Sequence, residues 1–215
     1  MQTPTRIVAV RHGETAWNAD ARLQGHLDIE LNAKGHWQAG RAAQALAGED
    51  VGAIYASDLA RAWQTAAAIA GPHGLAVQAE QRLRERAFGE FEGRTFAEIA
   101  ETLPEQALLW RRRDPDFAPA GGGESLRQFQ ARVNDAVHEL AARHPGELVV
   151  LVAHGGVMDL LYRSATRQEL QAPRTWQLGN ASINRMLWTE QGLTLVGWSD
   201  DCHLDGGALD EAAAA

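Results

Sequence analysis

Two short, uninterrupted apolar runs, Ile7 to Val10 and Leu148 to Val152, constrain this chain more than any other feature, because each ends within two residues of a histidine. Runs of this length, bounded by polar or glycine-rich segments, read as buried strands. The first passes into Arg11-His12-Gly13-Glu14-Thr15, and the second into Ala153-His154-Gly155-Gly156 ahead of a helix-like run. Between them, Ala53-Ile54-Tyr55-Ala56-Ser57-Asp58-Leu59-Ala60-Arg61 reads as a third strand turning into a helix whose first turn carries Arg61. In open α/β sheets, ligands collect at the carboxyl ends of the strands. His12, Arg61 and His154 are therefore expected to converge on one crevice.

The rest of the pattern fits that architecture. Ala33 to Ala47 and Leu59 to Ala70 are Ala-rich and read as helices. In Ser125 to Ala142, Leu126, Phe129, Val133, Val137 and Leu140 share one face, and Ser125 with Gln128 forms a capping-box pattern. Ile183 to Trp188 and Leu193 to Trp198, separated by Glu190-Gln191-Gly192, predict a hairpin at the sheet edge. The expected fold is α/β, a three-layer α/β/α sandwich with a mostly parallel central sheet, an antiparallel edge strand and a small helical cap insertion. A chain of 215 residues with 45% hydrophobic and 22% charged residues suits one domain over residues 1–215, with the cap at about 92–124. The end, Asp210 to Ala215, is expected to be mobile.

An arginine beside an imidazole at a strand end suits phosphate chemistry. A phosphate monoester is close to a dianion, so a nucleophile reaching its phosphorus needs guanidinium groups to relieve the repulsion. Neighbouring cations also disfavour imidazolium, which leaves His12 a free lone pair for attack. Gly13 is expected to leave room for a ligand oxygen near the backbone.

Charge and cysteine usage exclude several other classes. A formal net charge of -8 argues against general binding to nucleic acid or an acidic membrane. Cys202, the single cysteine, cannot close an intrachain disulfide, and Met1 to Arg6 lacks a signal peptide's apolar region. No stretch approaches transmembrane length, so the cytoplasm is the expected compartment. A metal reading would recruit Glu14, Glu85 and Asp159 beside the two histidines, but a divalent cation would meet repulsion from Arg11 and Arg61. No His-x-x-x-His or cysteine pair of ligand spacing occurs either. No metal and no cofactor are expected.

Arg11-His12-Gly13-Glu14-Thr15, Ser57-Asp58-Leu59-Ala60-Arg61-Ala62, Leu83-Arg84-Glu85 and Ala153-His154-Gly155 resemble, in order, the motifs of the histidine phosphatase (phosphoglycerate mutase-like) superfamily. The resemblance extends from about Ile7 to Trp198. It implies that His12 becomes phosphorylated, that Arg11, Arg61 and His154 bind phosphoryl oxygens, and that Glu85 is the proton donor. Asn18 would add a neutral donor, while Gln24, Gly25 and Gly155 would lie beside the substrate. It likewise implies no metal. A donor of this kind gives a proton to the leaving alkoxide and then takes one from water, which calls for partial burial or nearby phosphate. Phe88 and Phe91 read either as its apolar wall or as core, and the flanking Arg84 and Arg86 would oppose the effect.

Specificity is expected between Glu92 and Glu124, where Trp110-Arg111-Arg112-Arg113 precedes Asp114-Pro115-Asp116 and the loop Pro119 to Gly123. Arg111, Arg112 or Arg113 turned inward would favour a substrate with a second anion, whereas a solvated basic helix end is the plainer reading. His36, His73, His138 and His144 read as structural, and His26 is set apart only by following Leu23-Gln24-Gly25. The tail Asp201-Cys202-His203-Leu204 resembles a family C-terminal segment, and the tryptophans read as core or pocket wall.

The partner implied is a small phosphomonoester, with the oligomeric state left open and a dimer the reading to test. The resemblance favours a phosphatase, because the segment between the Glu85 and His154 motifs is shorter than in cofactor-dependent mutases. A mutase that returns the phosphoryl group to a hydroxyl is the alternative. A module that only binds phosphorylated ligands is a third reading, disfavoured by the presence of both His12 and Glu85.

Overall fold

The computed structural model describes residues 3–207, so the expectation for Asp210 to Ala215 falls outside the described residues. In chain order the main elements are β1 (Thr5–Arg11), α1 (Ala16–Ala19), α2 (Ala33–Leu46), β2 (Val51–Ala56), α3 (Ala60–His73), β3 (Val77–Ala79), α4 (Phe96–Thr102), α5 (Pro104–Arg111), α6 (Leu126–Ala142), β4 (Leu148–Ala153), α7 (Gly155–Thr166), β5 (Ile183–Thr189) and β6 (Gly192–Asp200). The strands form one sheet in the order β3-β2-β4-β1-β5-β6. The β3-β2, β2-β4 and β4-β1 pairings are parallel, whereas β5 runs antiparallel to β1 and β6 to β5. The antiparallel edge is thus the two-stranded hairpin that the turn residues indicated.

The central strands are apolar without interruption because both their faces are covered. Ile7 and Ala9 of β1, with Val149, Leu151 and Ala153 of β4, pack against α6 and α7. Their neighbours Val8, Val10, Val150 and Val152 point the other way, against α2 and α3. This period-two alternation gives the chain two cores, one on each side of the sheet. Fully burying a side chain such as Leu151 contributes about 1.5–3 kcal/mol; a charge placed there would have no partner.

Local signals set the helix boundaries. Ser125 caps α6, its hydroxyl accepting from Gln128 N while the Gln128 side chain accepts from Ser125 N. The predicted apolar face of α6 is the buried one. Helix α3 runs three residues beyond the expected Ala70, with Pro72 in its last turn, and it ends at Gly74 in the left-handed conformation. Leu59 gives α3 no side-chain cap; Asp28, from a distant loop, accepts from Ala60 N at 2.6 Å instead.

Two expectations change here. A Cβ on Gly13 would stand 2.4 Å from Gly35 O, so this glycine is required by the close approach of α2. Space for a ligand does not explain it. Trp37 and Trp63 are neither core nor pocket wall: they lie on the outer faces of α2 and α3, 44% and 38% exposed. No helix among the described residues is long and apolar enough to cross a membrane.

Candidate active site

Strand order brings the motif residues together. The chain continues the sheet ladder just past the strands, with His12 N donating to Ala153 O at 2.9 Å and Ser57 N to Val152 O at 3.0 Å. The loops after β2, β4 and β1 therefore leave from one edge, side by side. His12 and His154 face each other with ring centroids 5.2 Å apart. Arg11, His12, Asn18, Gln24, Gly25, Arg61 and Glu85 border one cavity of about 140 Å³.

The pocket is cationic and its key side chains are buried. His12, Arg61 and His154 are 3%, 1% and 0% exposed. Arg61 is held by the loop after α1, donating to Gly25 O at 2.8 Å and Leu27 O at 2.9 Å. Arg11 is held from the opposite side, its guanidinium donating to Leu178 O. Yet Arg11 Nε, Arg61 Nε and both ring nitrogens of His154 are buried with no hydrogen-bond partner. Unpaired buried polar groups are costly, and several of them together mark a place where a polar ligand completes the structure.

Protonation follows from that setting. Burial first, then the charges of Arg61 and Arg11, push the His12 imidazole well below its ordinary range. Burial, then Arg61 and His12, do the same to His154. Burial lowers Arg61 to about 10, which leaves it charged at neutral pH. His12 Nδ1 lies 2.7 Å from Gly13 O, an acceptor only, so Nδ1 carries the hydrogen and Nε2 keeps the lone pair.

Glu85 is fixed by backbone groups. Its carboxylate accepts from Arg86 N at 2.8 Å and from Gly156 N, in the first turn of α7, at 3.0 Å. Arg132 on α6 donates to Arg82 O, Arg84 O and Glu85 O at 2.8–2.9 Å and pairs with Glu124 at 2.6 Å. The His26 ring lies 2.8 Å from Glu85 O, which ties it to the motif set after all. The flanking arginines turn aside: Arg84 pairs with Asp58 at 2.5 Å, and Arg86 donates to Glu124 O and Phe117 O. Phe88 borders the cavity, whereas Phe91 is fully buried among the aromatic residues of α5 and its neighbours.

The remaining expectations divide. Gly155 leaves space for Arg11, whose Nε would be 3.4 Å from an added Cβ. Thr15 caps α1, with Asn18 Oδ1 accepting from Thr15 N, and Asn18 also accepts from Asn180 Nδ2 at 3.4 Å. Arg111 lies over the Phe96 ring and borders a second, larger cavity beside Glu85. Arg112 is exposed at the C-terminal cap of α5 and borders neither cavity, because the helix turns it outward. His138 and His144 are structural: one accepts from Trp188 Nε1, and the other bonds Tyr55 and Glu147. His203 Nε2 lies 3.1 Å from Ala181 O, so the tail braces the segment next to Asn180. No group of three His, Cys, Asp or Glu side chains among the described residues is placed to hold a metal ion.

Sequence reasoning missed Gly156, Asn180, Arg132 and Arg174. A Cβ on Gly156 would fall 2.1 Å from Glu85 Oε1, and the glycine doublet after His154 was the available signal. Asn180 donates to His12 O at 3.0 Å from a loop whose composition gave no hint of it.

Comparison with known proteins identifies the family. The family model described as "Histidine phosphatase superfamily (branch 1)" matches residues 7–201. Phosphoglycerate mutase-like protein 4 of Arabidopsis thaliana is 39% identical over 202 residues, 93% of this chain and 86% of that protein. The metal-independent phosphoserine phosphatase of the same plant is 40% identical over 205 residues, covering 93% and 83%. A mycobacterial glucosyl-3-phosphoglycerate phosphatase solved with VO3 superposes with a TM-score of 0.82 at 35% identity, covering 91% of this chain and 99% of that one.

Proposed function

The chain belongs to branch 1 of the histidine phosphatase superfamily, and from that premise we propose that it is a metal-independent phosphomonoesterase acting on small phosphorylated metabolites through phosphohistidine at His12. The observation that carries this reading is the set of partnerless buried nitrogens on Arg11, Arg61 and His154, of which Arg11 and Arg61 border one cavity with His12 and His154 faces the His12 ring at 5.2 Å. Non-bridging phosphoryl oxygens would accept from the two guanidinium groups and from the one ring N–H of neutral His154. The names of relatives as phosphoserine and glucosyl-3-phosphoglycerate phosphatases support hydrolysis as the outcome.

In this reading His12 Nε2 attacks phosphorus in line with the leaving oxygen. The N–P bond forms as the ester P–O bond breaks, and the alkoxide takes the proton of Glu85. A water molecule then attacks the phosphohistidine, giving its proton to Glu85 while the N–P bond breaks and returns the lone pair to His12. Arg11, Arg61 and His154 hold the equatorial oxygens through both steps, supplying the charge that a metal would otherwise bring. Asn18, Gln24 and Gly25 shape the wall around the phosphoryl group. The segment at about 92–124 caps the crevice, within a single domain of residues 1–215. The protein works as a cytoplasmic enzyme.

The test is to incubate chelator-treated protein with a panel of phosphomonoesters, including 3-phosphoglycerate with and without a bisphosphoglycerate primer. Free phosphate and isomer formation are followed together in wild type and His12→Ala. Phosphate release that needs His12 is the expected result. Isomerisation without net release would make it a mutase instead, the reading favoured by the relatives named for phosphoglycerate mutase.

A further inference from the structure

Beyond the phosphoryl pocket, on the far side of Glu85 and Phe88, lies a cavity of about 460 Å³. Phe96, Trp110, Leu126 and Phe129 make much of its wall, and Arg111, Arg113 and Arg174 stand among them. Because Glu85 borders both cavities, a leaving oxygen at Glu85 puts the alcohol part of the substrate in this second space. We propose that the cavity selects a phosphomonoester whose alcohol carries a ring-sized apolar body and a second oxyanion, and that Arg174 reads the oxyanion. This rests on the phosphatase reading above and adds the substrate class to it.

Size is the first argument. At about 460 Å³ the half-open cavity is within the range of small-molecule sites and roomier than serine or glycerate needs. A three-carbon acid would leave part of an aromatic-walled space unfilled. A ring against Trp110 and Phe129 would fill it and displace water from apolar surface.

Charge is the second argument. Arg113 is already committed, donating to Leu170 O and to Asp159 Oδ2 at 2.7 Å each. Arg111 and Arg174 make no ion pair and no hydrogen bond among the described residues, Arg111 lying only over the Phe96 ring at 5.3 Å. Arg174 also borders a third cavity with Arg11 and Gly155, and its charge disfavours the protonated forms of both Arg11 and Arg113. A cation repelled by two others, in a chain of net charge -8, is a local surplus that an anion would neutralise. Its loop is anchored on both sides. Arg163 donates to Ala172 O at 2.9 Å, and Trp176 stacks on Tyr162 at 4.1 Å. The guanidinium is thus presented at the mouth from a fixed backbone, and its fork suits a carboxylate or a phosphate.

Three substrates sharing one phosphorylated primary alcohol test this: phosphoserine has the carboxylate without a ring, N-benzoylphosphoethanolamine the ring without a carboxylate, and N-benzoylphosphoserine both. Glucose 6-phosphate against glucose 1,6-bisphosphate asks the same question with phosphate as the second anion. The expected result is that N-benzoylphosphoserine exceeds each single-feature compound in kcat/KM by about tenfold or more, the worth of one charge-assisted contact. Arg174→Gln should remove most of the carboxylate preference, lowering N-benzoylphosphoserine about tenfold more than N-benzoylphosphoethanolamine. Trp110→Ala should penalise both benzoyl compounds relative to phosphoserine. Phosphoserine turned over as well as N-benzoylphosphoserine, or an Arg174→Gln loss equal on all three, overturns the inference while leaving the phosphatase reading intact. No His12-dependent phosphate release from any compound overturns both. Arg174→Gln should likewise lower glucose 1,6-bisphosphate turnover about tenfold more than glucose 6-phosphate turnover, and an equal loss on both counts against the inference.

Discussion

The strand-end pocket and the cavity beneath α4 and α5 share Glu85 and Phe88 but are built in opposite ways. In the first, His12 and His154 sit at the ends of two adjacent parallel strands and Arg61 in the first turn of a helix, so backbone geometry sets their positions. The second is assembled from side chains of α5, α6, α7 and the loop before β5, with its free arginines exposed at the rim. On the proposed reading, the difference lets one chain hold its reaction chemistry rigidly while leaving substrate choice to a surface that substitutions can remake.

The sharpest way to break this division is to remove the proposed nucleophile. His12→Ala should lower phosphate release by about 10³-fold or more on every substrate, measured as kcat, because the proposed intermediate forms on His12. Glu85→Gln should cost about 10²–10⁴-fold on alkyl phosphates. It should cost far less in the first step on p-nitrophenyl phosphate, whose leaving group needs no proton. Equal losses on both ester types in a pre-steady-state assay would remove Glu85 from the donor role.

Gly156→Ala probes the seam between the two regions. The added Cβ would collide with the Glu85 carboxylate, and a displacement of about 1 Å can cost about 10² in kcat. Unchanged kcat in a folded variant would mean that the α7 turn does not position Glu85.

A smaller effect is expected from pH. His12 and His154 are held well below their ordinary range when folded, so below about pH 6.5 the unfolded chain binds protons that the folded one does not. Stability should therefore rise with pH up to that point and fall as pH drops below it, by up to about 1.4 kcal/mol per pH unit for each histidine. Denaturant melts of wild type and His12→Ala between pH 5 and 8 check this, and an equal slope in both would contradict it. The smallest effect belongs to the outer faces of α2 and α3: Trp37→Ser and Trp63→Ser should change stability by about 0.5 kcal/mol or less, and leave kcat/KM unaltered.

The two regions were also unequally legible in the sequence. Ile7 to Val10 and Leu148 to Val152 announce strands buried on both faces, and strand order then carries His12, Arg61 and His154 into one place. The period of α6 and its Ser125 cap were equally plain. Gly13 was misread because its neighbour, Gly35, approaches from a helix more than twenty residues away, a tertiary contact that no local pattern reports. Arg132 and Arg174 stayed hidden for a related reason: a long cationic side chain acquires a role only from the carbonyls or cavity it happens to meet. Among the three consecutive arginines, 111 to 113, the end of α5 and the left-handed backbone of Arg113 just past it decide that Arg113 pairs with Asp159, Arg111 lies over Phe96 and Arg112 faces solvent.

The most direct test of the central claim is to catch the covalent intermediate. Wild type and Glu85→Gln would be mixed with p-nitrophenyl phosphate, quenched in alkali on the millisecond scale, and digested for mass spectrometry. The account predicts a phosphoryl group on His12, more abundant in Glu85→Gln because the attacking water has lost its base. A phosphoryl group on another residue, or brisk turnover with His12 unmodified at every time, would contradict it.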